Sequence, residues 1–231
     1  MMGFMLVVGF SAMGQFIDHY GIRGGMGLSN HHWKYKKGTF SHLTGWKKNK
    51  TGLTVHGFAE RKLSRRFSLR SSAGYSRKGY RTDFKFIPYE GEEAKVSDNR
   101  VIFHELSLDL SCKYIPFGGK FRPYLFTGLQ GNYLVDQRNM LVSYNGKEKE
   151  IKSLTYDNYN NTHLRVIAGA GISYNELLFL DFEYNPNLGI YFESSLIKVT
   201  DKYFTLTMGI NIDQLITNAN KSELHIINPI F

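Results

Sequence analysis

The sequence predicts an all-β protein: an eight-stranded antiparallel up-and-down transmembrane β-barrel with a filled polar interior. Three observations carry that expectation. Apolar and polar residues alternate with a period of two, over runs longer than a soluble strand needs. The links between these runs alternate long and short. Aromatics make up 15% of the 231 residues, most of them Tyr and Phe, while Pro occurs only 5 times. That composition suits strands and the aromatic girdles of a membrane barrel.

The alternation is clearest over residues 101–135. Ile102, His104, Leu106, Leu108, Leu110, Cys112 and Tyr114 share one face, and Glu105, Ser107, Asp109, Ser111 and Lys113 share the other. A period of two is the repeat of a β-strand. The turn Pro116-Phe117-Gly118-Gly119-Lys120 follows, and the pattern returns. Pro123, Leu125, Thr127, Leu129, Tyr133 and Val135 oppose Arg122, Tyr124, Gln130 and Asn132. A bilayer requires about 9–11 tilted residues per strand, against about 5–6 in an ordinary strand. This hairpin supplies the fourth and fifth strands.

The other six are read in the same way. The first spans 20–30, with Tyr20, Ile22, Gly24, Met26 and Leu28 on one face. Its glycines (Gly21, Gly24, Gly25, Gly27) could suggest a phosphate-binding loop, which needs a helix directly after it. The following HHWKYKKG is no helix start, so they read as small residues that let interior side chains pack. The second strand, 51–61, places Leu53, Val55, Gly57 and Ala59 outside and Thr54, His56, Phe58 and Glu60 inside. In the third, 67–81, Phe67, Leu69, Ala73 and Tyr75 lie outside, and Ser68, Arg70, Ser72, Ser76 and Lys78 inside. The sixth, 162–174, has Leu164, Val166, Ala168, Ala170, Ile172 and Tyr174 outside, with His163, Arg165, Gly169, Gly171 and Ser173 inside. A two-residue turn, Asn175-Glu176, leads to the seventh, 178–185, with Asp181, Glu183 and Asn185 inside. The eighth, 204–212, carries Phe204, Leu206, Met208, Ile210 and Ile212 outside.

Long loops fall at 33–50, 82–100, 137–160 and 187–202, with short links between them. Short periplasmic turns and longer external loops are the habit of outer-membrane barrels. Eight strands would put both termini in the periplasm. A soluble barrel closes equally well but keeps its apolar face inside. Polar inside is favoured here because the apolar faces end in Tyr75, Tyr114, Tyr133, Tyr174 and Tyr184, as an interfacial girdle would. The polar faces also carry both signs of charge, which suits pairing in a narrow lumen.

The start, MMGFMLVVGFSAMGQ, reads as a signal peptide over residues 1–14, although no basic residue precedes its apolar run. The barrel is then 15–213 and a periplasmic tail 214–231. The chain has no run of 18 apolar residues, so no transmembrane helix is expected. The single Cys112 excludes an intrachain disulfide and reads as a small hydrophobe. A net charge of +9 points to anionic lipid headgroups, since the basic residues form no compact nucleic-acid patch.

Once assembled, the pattern resembles the porin-family, PorT-like outer-membrane β-barrel domains of Bacteroidota. The residues that carry the resemblance are Tyr20-Gly21-Ile22-Arg23-Gly24-Gly25, Arg122-Pro123-Tyr124-Leu125 with Gly128, Ala168-Gly169-Ala170-Gly171, and Gln15 after the expected cleavage site. It covers roughly 15–213. The PorT-like name implies a link to protein secretion, while the motifs themselves speak for the barrel class. The tail beyond the eighth strand departs from the family pattern, which ends at the last aromatic strand.

An eight-stranded barrel is just wide enough for side chains to fill it, so no open pore is expected. Arg70, Asp109, Asp181, Glu183, Glu105, Arg165 and Lys113 are expected to form an interior charge network. Counted from the short turns, Arg70 and Asp109 fall at one height and should pair, with Asp181 near them, while Glu105 and Arg165 form a second layer. His56, His163, Ser107 and Glu105 are candidates for lipid-modifying chemistry by residue type alone. His31-His32 is a weak metal pair, because adjacent strand residues point apart. Lys34, Lys36, Lys37, Lys47 and Lys48, with Trp33 and Trp46, form a possible anion-binding loop. The expected partners are outer-membrane lipid, lipopolysaccharide and other envelope proteins, with no cofactor and no nucleic acid. The expected role is structural, adhesive or complex-forming and non-enzymatic. The alternatives are a subunit of a secretion or envelope complex and, behind it, a lipid-modifying enzyme.

Overall fold

The computed structural model describes residues 17–35, 47–82, 94–98, 100–144, 147–151, 161–186, 192–193 and 197–217. The expected signal peptide and residues 218–231 of the expected tail lie outside this set. Eight long strands form one antiparallel sheet. They are β1 (His19–Tyr35), β2 (Lys47–Lys62), β3 (Phe67–Thr82), β5 (Arg100–Tyr114), β6 (Phe121–Arg138), β9 (Thr162–Tyr174), β10 (Leu178–Pro186) and β12 (Ile197–Asn211). Each pairs with the next, and β1 pairs with β12 from Gly21↔Asn211 to Tyr35↔Ile197, which closes the barrel.

Alternation sorts the side chains as the sequence requires, and the sorting is that of a membrane protein. Outward residues are large and apolar: Leu108 is 64% exposed, Met26 and Met208 62%. Inward residues are charged: Arg165 and Asp181 are both 0% exposed. In water such an outer surface would be an aggregation patch, whereas in hydrocarbon it is the solvated face. Closure leaves no strand edge in the bilayer, so the backbone hydrogen bonds are met within the barrel.

Inward glycines make room for inward rings. Tyr124 faces Gly171, Phe126 faces Gly169 and Phe179 faces Gly209 across neighbouring strands. A Cβ on any of these glycines would run into the opposing ring. The short link Asn175-Glu176 has positive φ at both residues (51° and 56°). This is the backbone of a type I′ hairpin turn, whose twist matches that of the flanking strands.

Several strand limits differ from expectation. β1 begins at His19 and runs on to Tyr35, β2 begins at Lys47, and β12 begins at Ile197, inside the expected loop 187–202. Ile212 leaves the strand and opens a short helix, α1, over 212–217. Three expected loops, 82–100, 137–160 and 187–202, contain short strands of their own. β4 (Ala94–Asp98) joins β7 (Met140–Tyr144) and β8 (Lys147–Ile151) in a separate three-stranded sheet. The two-residue β11 (Phe192–Glu193) pairs with the start of β12. Ile102, expected on the lipid face, is buried. Near it a register shift lets β6 insert an extra residue between Leu134 and Asp136. That bulge turns Asp136 and Arg138 to the outer face opposite His104 and Ile102.

Candidate functional site

Among the described residues the lumen holds the main concentration of buried polar side chains, stacked along the barrel axis. Nearest the short turns, Glu60 of β2 accepts from Ser68 Oγ (2.7 Å), Lys113 Nζ (3.0 Å) and Arg70 Nε (3.2 Å). Arg70 then reaches across the lumen to Asp181 of β10 at 2.8 Å. Tyr124 donates its hydroxyl to the same carboxylate. The Arg70 guanidinium lies 4.9 Å from the Phe179 ring and 5.3 Å from Phe58. Its charge is thus met by carboxylates at the tip and by aromatic faces along its plane.

One level up, Arg23 donates to Asp109 at 3.1 Å and Glu183 at 3.3 Å. Ser72 Oγ donates to Asp109 at 2.9 Å. Above this, His56 Nε2 lies 2.9 Å from Ser107 Oγ, and His56 Nδ1 lies 3.2 Å from Thr54 Oγ1. Next comes a layer around Glu105, with Lys78 at 3.0 Å and Arg165 and His163 at 3.4 Å. Arg165 also reaches Asp201 at 2.9 Å, and Lys78 sits 4.3 Å from the Tyr203 ring. The stack ends in aromatic rings. His31 stacks on Phe103 with centroids 4.9 Å apart, and Tyr80 packs 4.8 Å from His31.

Six buried cations face six buried carboxylates among the described residues: Arg23, Lys50, Arg70, Lys78, Lys113 and Arg165 against Glu60, Glu105, Asp109, Asp181, Glu183 and Asp201. The lumen is close to neutral, so the net +9 of the chain resides elsewhere. An isolated charge so deeply buried would be very costly, while a paired and hydrogen-bonded one is tolerated. Each layer therefore holds strands together that are distant in sequence.

At the turn end, His19 and the Tyr20 N–H hold Asp213 at 2.8 Å and 3.1 Å. Partial burial pushes the Asp213 carboxyl up, but these hydrogen bonds outweigh it and hold it below the usual carboxylate range. This contact fastens the first strand to the helix that follows the last. Glu176 joins the same rim, paired with Lys62 at 3.2 Å and with Arg122.

The sequence-derived candidates fall as follows. All seven network residues are buried in the lumen. The expected Arg70–Asp109 pair is corrected: Arg70 takes Asp181 and Glu60, and Asp109 takes Arg23 and Ser72. Glu105 and Arg165 meet in one layer. Arg23, Lys50, Glu60, Lys78 and Asp201 are the further buried charges of the lumen, beyond the seven expected. Arg23, Glu60 and Lys78 have the inward parity of their strands in the sequence, whereas Asp201 falls within the expected loop 187–202 and lies instead on β12. Of the enzyme candidates, His56 meets Ser107 and His163 meets Glu105. The second nitrogen of His56 is engaged by Thr54, where a catalytic histidine would need a carboxylate. His31 belongs to the aromatic stack. Lys34 and Lys48 are exposed, Lys36, Lys37 and Trp46 lie outside the described residues, and Lys47 opens β2.

A closed antiparallel barrel, apolar outside and ion-paired inside, defines an integral membrane β-barrel protein. The sequence matches the family described as "Outer membrane protein beta-barrel domain" over residues 19–193. The protein belongs to that family, and the bacterial outer membrane is its place. Among solved structures it is similar to the attachment invasion locus protein Ail of Yersinia pestis, with 14% identity and a TM-score of 0.38 over 83% of this chain and 97% of that one. OprG of Pseudomonas aeruginosa is similar at 12% identity and a TM-score of 0.46, covering 84% and 96%. Neisserial surface protein A is similar at 15% identity and a TM-score of 0.39, covering 83% and 96%. Comparison with curated proteins gives no match.

Proposed function

We propose that the protein is a closed, non-conducting and non-enzymatic outer-membrane barrel that anchors a folded head on the cell surface. In this reading it has a structural, adhesive or complex-forming role. One observation carries it: the lumen is occupied level after level by paired charges and hydrogen-bonded polar groups, from Glu60 to Glu105, and ends under the rings of His31, Phe103 and Tyr80. A permeant solute would have to break these pairs. The sheet β4-β7-β8, built from two different connections at the loop end, supports a surface role, since it offers a shaped platform where unstructured loops would not. Both termini then lie in the periplasm and the platform lies outside.

The test is conductance. The refolded protein in planar bilayers should give no discrete channels, and steady unitary currents from wild type would overturn the reading. Cleavage of 145–146 by protease on intact cells would place the head outside. A second version of the proposal makes the protein one of the PorT-like barrels of Bacteroidota and a subunit of a secretion or envelope complex, and co-purification of envelope partners would test that version.

A further inference from the structure

The turn end of the barrel carries a recess that the luminal network does not use. Three connections are fastened there into one rim. The Ile115 N–H donates to the Arg66 carbonyl at 2.8 Å, and the Asn175 N–H donates to the Lys120 carbonyl at 2.8 Å. Between these connections lies a cavity of about 500 Å³, within the usual size range of ligand pockets. Its floor reaches Ser68, a fully buried inward residue of the first luminal layer. The recess therefore opens along the barrel axis rather than sideways into lipid.

Four cations and one carboxylate line it: Lys62, Arg65, Arg66 and Arg122 against Glu176. Glu176 answers two of the four. Lys62 Nζ lies 3.2 Å from its carboxylate, and Arg122 donates to it as well. Lys62 ends β2 and Glu176 lies in the β9–β10 link, with β3, β5 and β6 between them, so this pair crosses the mouth of the barrel. Arg65 and Arg66 are exposed, and no ion pair reaches either among the described residues. Glu176 also holds a φ of 56°, a left-handed backbone that is uncommon for a residue other than glycine. A carboxylate is thus kept at the mouth at a position where glycine would be relaxed. The remaining wall is apolar, with Pro116 beside Phe117, whose ring is 68% exposed.

We propose that this recess docks an acidic peptide segment of a periplasmic partner protein. A carboxylate of the segment pairs with Arg65 and Arg66, for which the guanidinium fork is suited, and an apolar side chain lies on Phe117 and Pro116. Glu176 is the built-in competitor for Lys62 and Arg122. The assignment deepens the complex-forming reading and rests on it, and on the turn end facing the periplasm.

Binding is measured on the full chain in neutral detergent micelles. The probe is an end-blocked peptide with two glutamates beside a phenylalanine, compared with the same peptide carrying glutamines in their place. Wild type should hold the acidic peptide at least about tenfold more tightly than the neutral one, as expected for charge-assisted contacts. Arg65→Ser with Arg66→Ser should lose about tenfold, and Phe117→Ser should lose less. Glu176→Gln should bind the acidic peptide about threefold more tightly than wild type, because it releases Lys62 and Arg122. Arg81→Ser at the loop end should change nothing. A heat-modifiable band on gels verifies that each variant remains a closed barrel. Undiminished binding by the folded double variant would overturn the proposal, as would equal binding of the two peptides or no binding by wild type. Displacement of the peptide by phosphatidylglycerol added to the micelles would overturn it in favour of a lipid headgroup, and a Glu176→Gln variant that binds no better would remove the competitor role. Micelle binding depends on neither orientation nor conductance, so its failure leaves the closed-barrel reading standing, and channels or a reversed topology on cells would sink that reading while leaving this measurement interpretable.

Discussion

The two faces of one strand obey opposite rules. On β10, Leu180 and Phe182 point into lipid, while Asp181 between them is wholly buried and bonded to Arg70 and Tyr124. The outward pair needs only to be apolar, because hydrocarbon makes no directional demand. Asp181 needs particular partners at particular distances, because a carboxylate so deeply buried is tolerated only when paired and hydrogen-bonded. Specificity of packing therefore lies inside, and tolerance lies outside.

That contrast can be broken most severely from within. Asp181→Ala removes the acceptor of Arg70 and leaves a buried guanidinium with Glu60 alone. It should destabilise the barrel by about 3–5 kcal/mol, the usual effect of removing one partner of a buried pair. A lowered urea midpoint in vesicles, with a band that loses its gel shift at lower temperature, would register it. A change below about 1 kcal/mol would mean that the lumen is wet and the ion pairs are solvated.

From outside, the rule is violated by charge rather than by shape. Leu108→Arg puts a cation on the lipid face of β5 and should cost about 2–4 kcal/mol near the midplane. The same measurement checks it, and Leu108→Phe should be close to neutral. An equally mild Arg variant would place Leu108 outside the hydrocarbon.

A smaller effect comes from shape inside. Gly171→Val would press a side chain on the Tyr124 ring and Asp181, at about 1–3 kcal/mol for overpacking. The outward neighbour Ala170→Val should be tolerated, and equal losses at both positions would remove the distinction between the faces.

The smallest effect is confined to the turn end. The Asp213 carboxyl is held below its usual range, so its contribution is complete above the unfolded value of about 3.9 and is lost as pH falls through the lower folded value. Amide exchange at 212–217 should therefore rise in acid while the strands stay protected. Asp213→Asn should abolish the pH dependence of that exchange.

The eight strands and their inward and outward faces were legible because both follow from a period of two, which no tertiary contact has to set. Where that period was disturbed, legibility failed. The bulge in β6 re-aimed Asp136 and Arg138, and Ile102 became buried where a lipid-facing residue was expected. The loop strands β4, β7 and β8 carried no periodic signal long enough to separate them from their connections.

The sequence by itself determined a closed barrel with a polar lumen, since only closure satisfies the backbone in hydrocarbon and only an inward polar face spares charges from lipid. It also placed Arg70, Asp109, Asp181, Glu183, Glu105, Arg165 and Lys113 on that inner face. Which charge meets which was decided by the tertiary structure alone. Strands in a barrel are staggered and tilted, so residues at equal counts from their turns do not share a level. Arg70 accordingly crosses the lumen to Asp181, and Asp109 is left to Arg23.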